Sequence, residues 1–198
     1  MPSHRAIPAP SGPPASPGPL EPLNTASADE AQRTLLTACG SSHWARRLAA
    51  HRPYPDLDAL LAAADEAAYD LTPADLAEAL AAERFEPAVA PGSAYTAAAT
   101  ALRAAHAAYE SRFGHAFVIC LDATAPSEAL DHLLASLRDR LGNDREEELA
   151  VAADELRRTA RARLTRLVHN WPDISVPRPS RQPDPPRATR SDSPYVPV

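Results

Sequence analysis

Apolar residues recur at helical spacing along most of the chain, and helix caps punctuate the pattern. Ser27 precedes Glu30 by three positions, and Thr72 stands before Pro73, as at helix starts. The predicted helices cover 27–38, 41–52, 55–70, 72–85, 93–113, 126–142 and 143–170. Only residues 115–122 have an extended pattern, and one short apolar run cannot form a sheet. The pattern predicts an all-α, single-domain bundle of about seven helices.

Proline marks the predicted domain boundaries. Of the 22 prolines, eight lie within residues 1–23 and eight within 171–198, which leaves six in between. Proline without hydrophobic periodicity does not build packed elements. We therefore predict a disordered Pro-rich tail at 1–22, a helical domain at 23–170 and a disordered Pro/Arg-rich tail at 171–198.

Charge and apolar content exclude several classes of partner. The net charge is −6, the pI is near 5.6, and all 20 basic residues are arginines. The arginine-rich last helix also carries acidic residues and lacks interleaved aromatic residues, so we predict no nucleic-acid partner. No apolar run approaches the length of a membrane span, and the first residues lack a signal-peptide core. These features predict a soluble, cytoplasmic protein without a membrane partner.

Cysteines and potential metal ligands are sparse. Cys39 and Cys120 lie in apolar contexts without a CxxC pair, which predicts two buried thiols in a reducing cytosol. No histidine, cysteine and aspartate cluster has zinc-ligand spacing. We therefore predict no metal site.

Three charged or titratable residues have the helical phase of core residues. Residues advance by about 100° each, so Glu83 shares a face with Leu76 and Leu80. Arg163 lies on the apolar stripe of the last helix, and His106 lies on that of the 93–113 helix. The predicted stripe of the last helix also contains Leu149, Leu156, Ala160 and Leu167. A buried arginine needs an anion, and a buried carboxylate needs a cation or hydrogen bonds. The pattern predicts a pocket formed by these three side chains.

Structural roles also account for each of the three. Glu83 lies in the last turn of its predicted helix, where it can fray into water. Arg163 can extend along the core with its head in solvent. His106 can be a hydrogen-bonded core histidine. The sequence leaves these alternatives open.

Several strings, in order, resemble the OHCU decarboxylases (2-oxo-4-hydroxy-4-carboxy-5-ureidoimidazoline decarboxylases). They are LLTACGSSHWARRLAAHRPYPDLDALLAAADEA, AAYESRFGHAFVIC and LRDRLGNDREEELAVAADELRRTARARLTRL. The resemblance spans about residues 23–168. It implies an all-α fold, usually dimeric, that removes CO2 from a ureidoimidazoline without a cofactor and delivers (S)-allantoin in urate degradation. The implied partners are a small-molecule ureide substrate or analogue and a second copy of the chain.

The chain departs from this family at the residues that carry the reaction. The resemblance places the family's Ala-His-Pro-X-Ile-Gly motif on residues 82–87, so that Glu83 replaces the histidine. Ser93 matches the serine of the Ser-X-X-Glu-Gln motif, but Thr96 and Ala97 replace its Glu-Gln. Arg163 matches the arginine of the family's final helix. The resemblance thus implies substrate binding by Ser93 and Arg163.

These departures leave the question of catalysis open. The chain is either a decarboxylase in which Glu83, with help from His106, has become the proton donor, or a non-catalytic paralogue that binds a ureide or a protein. A pocket that serves a different carboxylate chemistry is a third alternative. Glu83 in the place of the histidine can also pair with Arg163 and occupy its anion site, which we state as a hypothesis.

Overall fold

A computed structural model describes residues 18–84 and 93–174, with side chains at 18–84 and 100–170. This part of the chain forms eight helices and no strand. They are α1 (Glu21–Thr25), α2 (Ala28–Leu36), α3 (Ser42–Ala50), α4 (Leu57–Tyr69), α5 (Pro73–Ala82), α6 (Ser93–Phe113), α7 (Ala129–Arg140) and α8 (Arg145–Ile174). The predicted all-α fold and its seven helices are confirmed, and the short α1 is an addition.

Local side-chain chemistry sets the helix ends. Ser27 and Asp56 cap α2 and α4 by accepting hydrogen bonds from backbone N–H groups in the first turn. Thr72 and Asp75 form a capping box at α5. Helix α6 ends before Gly114, whose φ of 83° favours glycine.

Three helix ends differ from the sequence prediction by three or more residues. Helix α7 begins at Ala129 rather than at residue 126. Helix α5 ends at Ala82 rather than Phe85, because the backbone turns extended at Glu83, with φ −70° and ψ 139°. Helix α8 continues to Ile174, beyond the predicted end at Asn170. Most residues of the two predicted tails lie outside the described part of the chain, so their predicted disorder stays a prediction.

The core consists of two apolar clusters. The larger cluster gathers buried residues of α1–α5 and α8 around Trp44. The smaller cluster packs α6 and α7 around Tyr109 and Phe117. Residues 115–122, predicted as extended, form an irregular segment without a strand between α6 and α7. No described helix is both long and apolar enough to cross a membrane.

The prediction for the face of α8 was wrong at one position. Leu149 was placed on the buried stripe, but it is 39% exposed, whereas Glu148 is fully buried. Glu148 takes the interior position because its carboxylate accepts several hydrogen bonds there. The remaining stripe residues Leu156, Ala160 and Leu167 are buried as predicted.

Candidate functional site

Glu83 and Arg163 meet in a two-pronged ion pair. Arg163 Nη1 donates to Glu83 Oε1 at 2.6 Å, and Arg163 Nη2 donates to Glu83 Oε2 at 2.8 Å. Nη1 also approaches the carbonyl oxygen of Ala38 at 3.3 Å. The side chains are 9% exposed for Glu83 and 34% exposed for Arg163. The parallel geometry is the one that guanidinium and carboxylate groups adopt in strong pairs.

The end of α5 places Glu83 at this position. Glu83 is the residue that follows the last helical turn, so its side chain does not continue along the helix surface. Just before it, Ala82 packs against Gly40 so closely that a Cβ added to Gly40 would lie 2.3 Å from Ala82 Cβ. Glycine is therefore required at residue 40 for α5 to end where Glu83 reaches Arg163.

The turn at residues 38–42 joins three helices at the site. Ser41 is fully buried and caps α3 by accepting a hydrogen bond from Trp44 N. Ser42 donates from its backbone N and its hydroxyl to the two carboxylate oxygens of Glu78, on α5. With the Ala38 contact to α8, this turn fixes α3, α5 and α8 relative to one another. Sequence reasoning missed this role, although the Cys-Gly-Ser string that carries the family resemblance lies here.

Two clefts border the ion pair. One holds about 510 Å³ and is lined by Leu36, Thr37, Gly40, Ala82, Glu83, Arg84 and Arg163. The other holds about 270 Å³ and includes Glu83, Arg84, Glu110 and His115. Both open to solvent, so a small polar ligand can approach Glu83 from either side.

The ion pair governs the electrostatics of the site. The hydrogen bonds to Glu83 raise the pKa of the Arg163 guanidinium above its ordinary value, against the opposing effect of burial. Burial raises the pKa of the neighbouring Cys39 thiol to about 11. The site therefore contains the Glu83–Arg163 ion pair beside a thiol that is protonated at neutral pH. Cys39 is buried as predicted, whereas Cys120 is only partly buried, and both are free thiols.

His106 lies inward, as its helical phase predicts, at 7% exposure. Its Nδ1 is 3.6 Å from Glu110 Oε1, and its ring meets Phe117 edge to face. Burial lowers the pKa of His106 below its usual value, and the smaller effect of Glu110 raises it. His106 thus belongs to the smaller core cluster and connects to the second cleft through Glu110.

Ser93 is the first residue of α6, but its side chain lies outside the described part of the chain. Its predicted role in substrate binding stays a prediction. Among the described residues, no group of histidine, cysteine, aspartate or glutamate side chains could hold a metal ion.

A second buried ion pair, which sequence reasoning missed, lies between α6, α7 and α8. Arg140 donates from Nε at 2.9 Å and from Nη2 at 2.6 Å to Glu148 Oε1. Tyr109 donates its hydroxyl to the same oxygen, and Asn143 Nδ2 donates to Oε2 at 2.9 Å. Arg140 Nη1 donates to the Val118 carbonyl at 2.6 Å. The available signal was the Arg-Leu-Gly-Asn sequence at 140–143, which lies within the third string that carries the family resemblance.

Comparison with known proteins gives the family. The family model for OHCU decarboxylase matches residues 24–165, most of the chain. The chain belongs to the OHCU decarboxylase family. No sequence among curated proteins matches the chain.

Two solved structures share the fold. A crystal structure of an OHCU decarboxylase in the presence of (S)-allantoin has a TM-score of 0.59 and 22% identity, over 73% of this chain and 99% of that one. A crystal structure of an (S)-allantoin synthase has a TM-score of 0.60 and 19% identity, over 76% of this chain. This chain spans about half (53%) of that synthase. At these identities, the likeness concerns the fold.

Proposed function

We propose that this OHCU-decarboxylase-like protein of urate degradation binds a ureide without decarboxylating it. The observation that carries the proposal is the two-pronged pair of Glu83 with Arg163 at 2.6 and 2.8 Å. By family resemblance, Glu83 stands where the catalytic histidine belongs, and Arg163 is the cation meant for the substrate. One substitution thus removes the histidine and fills the anion site.

The chemistry of decarboxylation explains why this matters. The substrate carboxylate needs a cation, the carbanion that forms needs stabilisation, and a proton must be delivered to one face. Both Nη atoms of Arg163 already donate to Glu83. A carboxylate attached to the protein competes at far higher effective concentration than a dissolved ligand. A carboxylated substrate must therefore displace Glu83 before it can contact Arg163.

A neutral ureide faces no such competition. An ionised carboxylate has about four acceptor positions, so Glu83 can accept hydrogen bonds from ureide N–H groups while it stays paired. Arg84 and Thr37 line the same cleft and provide hydrogen-bond donors for carbonyl oxygens. These features support a neutral ureide such as allantoin as the ligand.

One observation favours a second candidate function, a decarboxylase with a rebuilt proton donor. Glu110 lines the second cleft together with Glu83 and lies 3.6 Å from His106. In this mechanism, Glu83 leaves Arg163 when the substrate binds, and His106 or Glu83 delivers the proton. The support is weaker, because the resting geometry commits Glu83 to Arg163.

An assay on freshly generated substrate tests the proposal. Urate, urate oxidase and hydroxyisourate hydrolase supply the ureidoimidazoline, and circular dichroism follows optically active allantoin. We expect racemic product at the spontaneous rate with this chain, and we expect the Arg163→Ala variant to behave in the same way. Rapid formation of (S)-allantoin that depends on Arg163 contradicts the proposal and supports the rebuilt decarboxylase.

Ureide binding is tested separately by calorimetric titration with allantoin. We expect saturable binding that weakens severalfold in Arg84→Gln, since Arg84 lines both clefts. Arg138→Gln, an exposed substitution on α7, serves as the control. The absence of saturable binding to the unaltered chain contradicts the assignment of a ureide.

We also propose that the chain forms a homodimer, as the family resemblance implies. Sedimentation velocity checks this directly, with a single species at twice the chain mass expected. A monomer at concentrations well above those in the assay contradicts it.

A further inference from the structure

A semi-enclosed cavity lies between α4, α5 and α8, separate from the clefts around Glu83. It holds about 150 Å³, and its walls are mostly apolar. Lining residues include Cys39, Ala68, Leu71, Leu76, Leu156 and Ala160. Protein interiors contain few voids larger than a water molecule, because unfilled space forfeits packing contacts. A partly enclosed apolar space of this size is available to a small occupant.

Small side chains create the space. Ala68 on α4 and Ala153 and Ala160 on α8 line the cavity, together with the Cys39 thiol. A leucine or methionine at any of these positions has the volume to fill much of it. The chain instead surrounds the space with larger residues of α5 and α8 and leaves it open.

The charges near the cavity exclude an anion. Arg157 lines the cavity, but its guanidinium pairs with Asp65 at 3.1 Å and with Asp154 at 2.8 Å. The two aspartates repel a further carboxylate and balance the positive charge through Nη1 and Nη2, whereas the buried Nε of Arg157 has no hydrogen-bond partner among the described residues. Cys39 is a protonated thiol at neutral pH, because burial raises its pKa. The walls thus suit a molecule without charge.

Tyr69 gives the cavity a surface mouth. Its side chain lines the cavity although the residue is 73% exposed. The Arg157 guanidinium lies over the Tyr69 ring, 5.3 Å from its centroid. Because Tyr69 is the last residue of α4 and is largely exposed, its side chain and the Arg157 guanidinium border the side of the cavity that faces solvent.

We propose that this cavity binds a small, neutral, apolar molecule of about the size of benzene. Apolar cavities of roughly 150 Å³ stay dry and bind benzene or xenon in another protein, so the volume matches this class of ligand. Water is a poor occupant because it needs two to four polar partners, and the buried Arg157 Nε by itself supplies one. This site does not depend on the function proposed for the Glu83 clefts.

Thermal unfolding and methyl NMR of the full chain with benzene test the proposal. Benzene at about five times its Kd is expected to raise Tm by about 2–4 °C, as for any ligand that binds the folded state alone. Benzoate, the charged analogue, is expected to leave Tm unchanged. Benzene should shift the methyl signals of Leu71, Leu76 and Leu156 and leave those of Leu133, in the other core cluster, in place.

A cavity-filling variant locates the site. Ala153→Leu places a larger side chain in the cavity and should abolish the Tm response to benzene, whereas Ala150→Leu, exposed on the same helix, should retain it. The proposal fails if benzoate stabilises as well as benzene does, or if Ala153→Leu keeps the full response. Unmoved methyl signals in the unaltered chain also overturn it, whether or not the variants fold.

Discussion

Two arginine–glutamate pairs in this chain have the same chemistry and different surroundings. In the Arg140–Glu148 pair, the side chains are 6% and 0% exposed, and Tyr109 and Asn143 satisfy the carboxylate further. In the Arg163–Glu83 pair, Arg163 is 34% exposed, and both residues line an open cleft. The first pair is closed to solvent. The second borders a cleft that a ligand can enter, so we propose that a ligand can take the place of one of its side chains.

The difference separates a structural pair from a candidate functional one. Desolvated charges contribute to a fold only when every partner stays in place, and removing one leaves a buried charge. The Arg140–Glu148 pair, sealed by three elements, meets that condition. Separating an ion pair beside an open cleft costs less free energy than separating a buried one. We therefore propose that Glu83 competes with carboxylate ligands for Arg163.

The largest expected effect is that of Glu148→Ala. This substitution leaves Arg140 buried without its anion, so we expect the free energy of unfolding to fall by about 3–5 kcal/mol. Urea denaturation followed by circular dichroism measures this change. Glu147→Ala, an exposed neighbour, should stay within about 0.5 kcal/mol of the parent. A loss below about 1 kcal/mol for Glu148→Ala shows that the buried pair is not a structural element.

Gly40→Ala should have the next largest effect. The added methyl group would lie 2.3 Å from Ala82 Cβ, so the end of α5 must move away. Overpacking of this kind costs about 1–3 kcal/mol. Denaturation measures the loss, and Gly18→Ala, where a Cβ meets nothing within 4 Å, is the control. Equal stabilities of the two variants would show that Gly40 does not position Glu83.

Glu83→Gln should destabilise less, by about 1 kcal/mol, because solvent screens the partly exposed Arg163. A double-mutant cycle with Arg163→Gln isolates the coupling between the two side chains. The same cycle on Arg140 and Glu148 provides the comparison. A coupling in the Glu83 cycle as large as that in the buried pair contradicts the difference drawn between them.

The smallest effect concerns His106 and pH. Burial lowers its pKa in the folded chain, so the unfolded chain binds a proton more readily and stability falls as pH drops below about 6.5. His106→Gln should make this fall shallower. Tm measured from about pH 8 to about pH 5 tests it, since that range spans the titration of an unfolded histidine. His132→Gln, at an exposed position, is the control. If Tm depends on pH equally in the two variants, His106 is not the source of the loss of stability at low pH.

Local signals in the sequence predicted the helices and the contact between Glu83 and Arg163. Caps such as Thr72 act within one turn, and helical phase correctly turned Arg163 towards the interior. Glu83 also reaches the interior as predicted, but through the extended backbone that follows α5 and not through helical phase. Helical phase could not decide which of the neighbouring residues Glu148 and Leu149 is buried. The choice depends on the hydrogen-bond partners of Glu148, Tyr109 and Arg140, which lie on other helices.

Close packing between distant segments was also invisible in the sequence. The approach of Gly40 to Ala82 joins residues far apart in the chain, and nothing local requires it. The cavity beside Cys39 likewise depends on how α4, α5 and α8 meet. Such features follow from tertiary geometry, which a periodic pattern does not encode.

The central claim, that Glu83 occupies the anion site of Arg163, is tested most directly by carboxylate binding. N-carbamoylglycine, a small ureido carboxylate, is titrated by calorimetry into the parent chain, Glu83→Gln, and Glu83→Gln combined with Arg163→Gln. We predict that Glu83→Gln binds it at least about tenfold more tightly than the parent, or about 1.4 kcal/mol, and that the double variant loses this gain. Equal affinity of the parent and Glu83→Gln would contradict the claim.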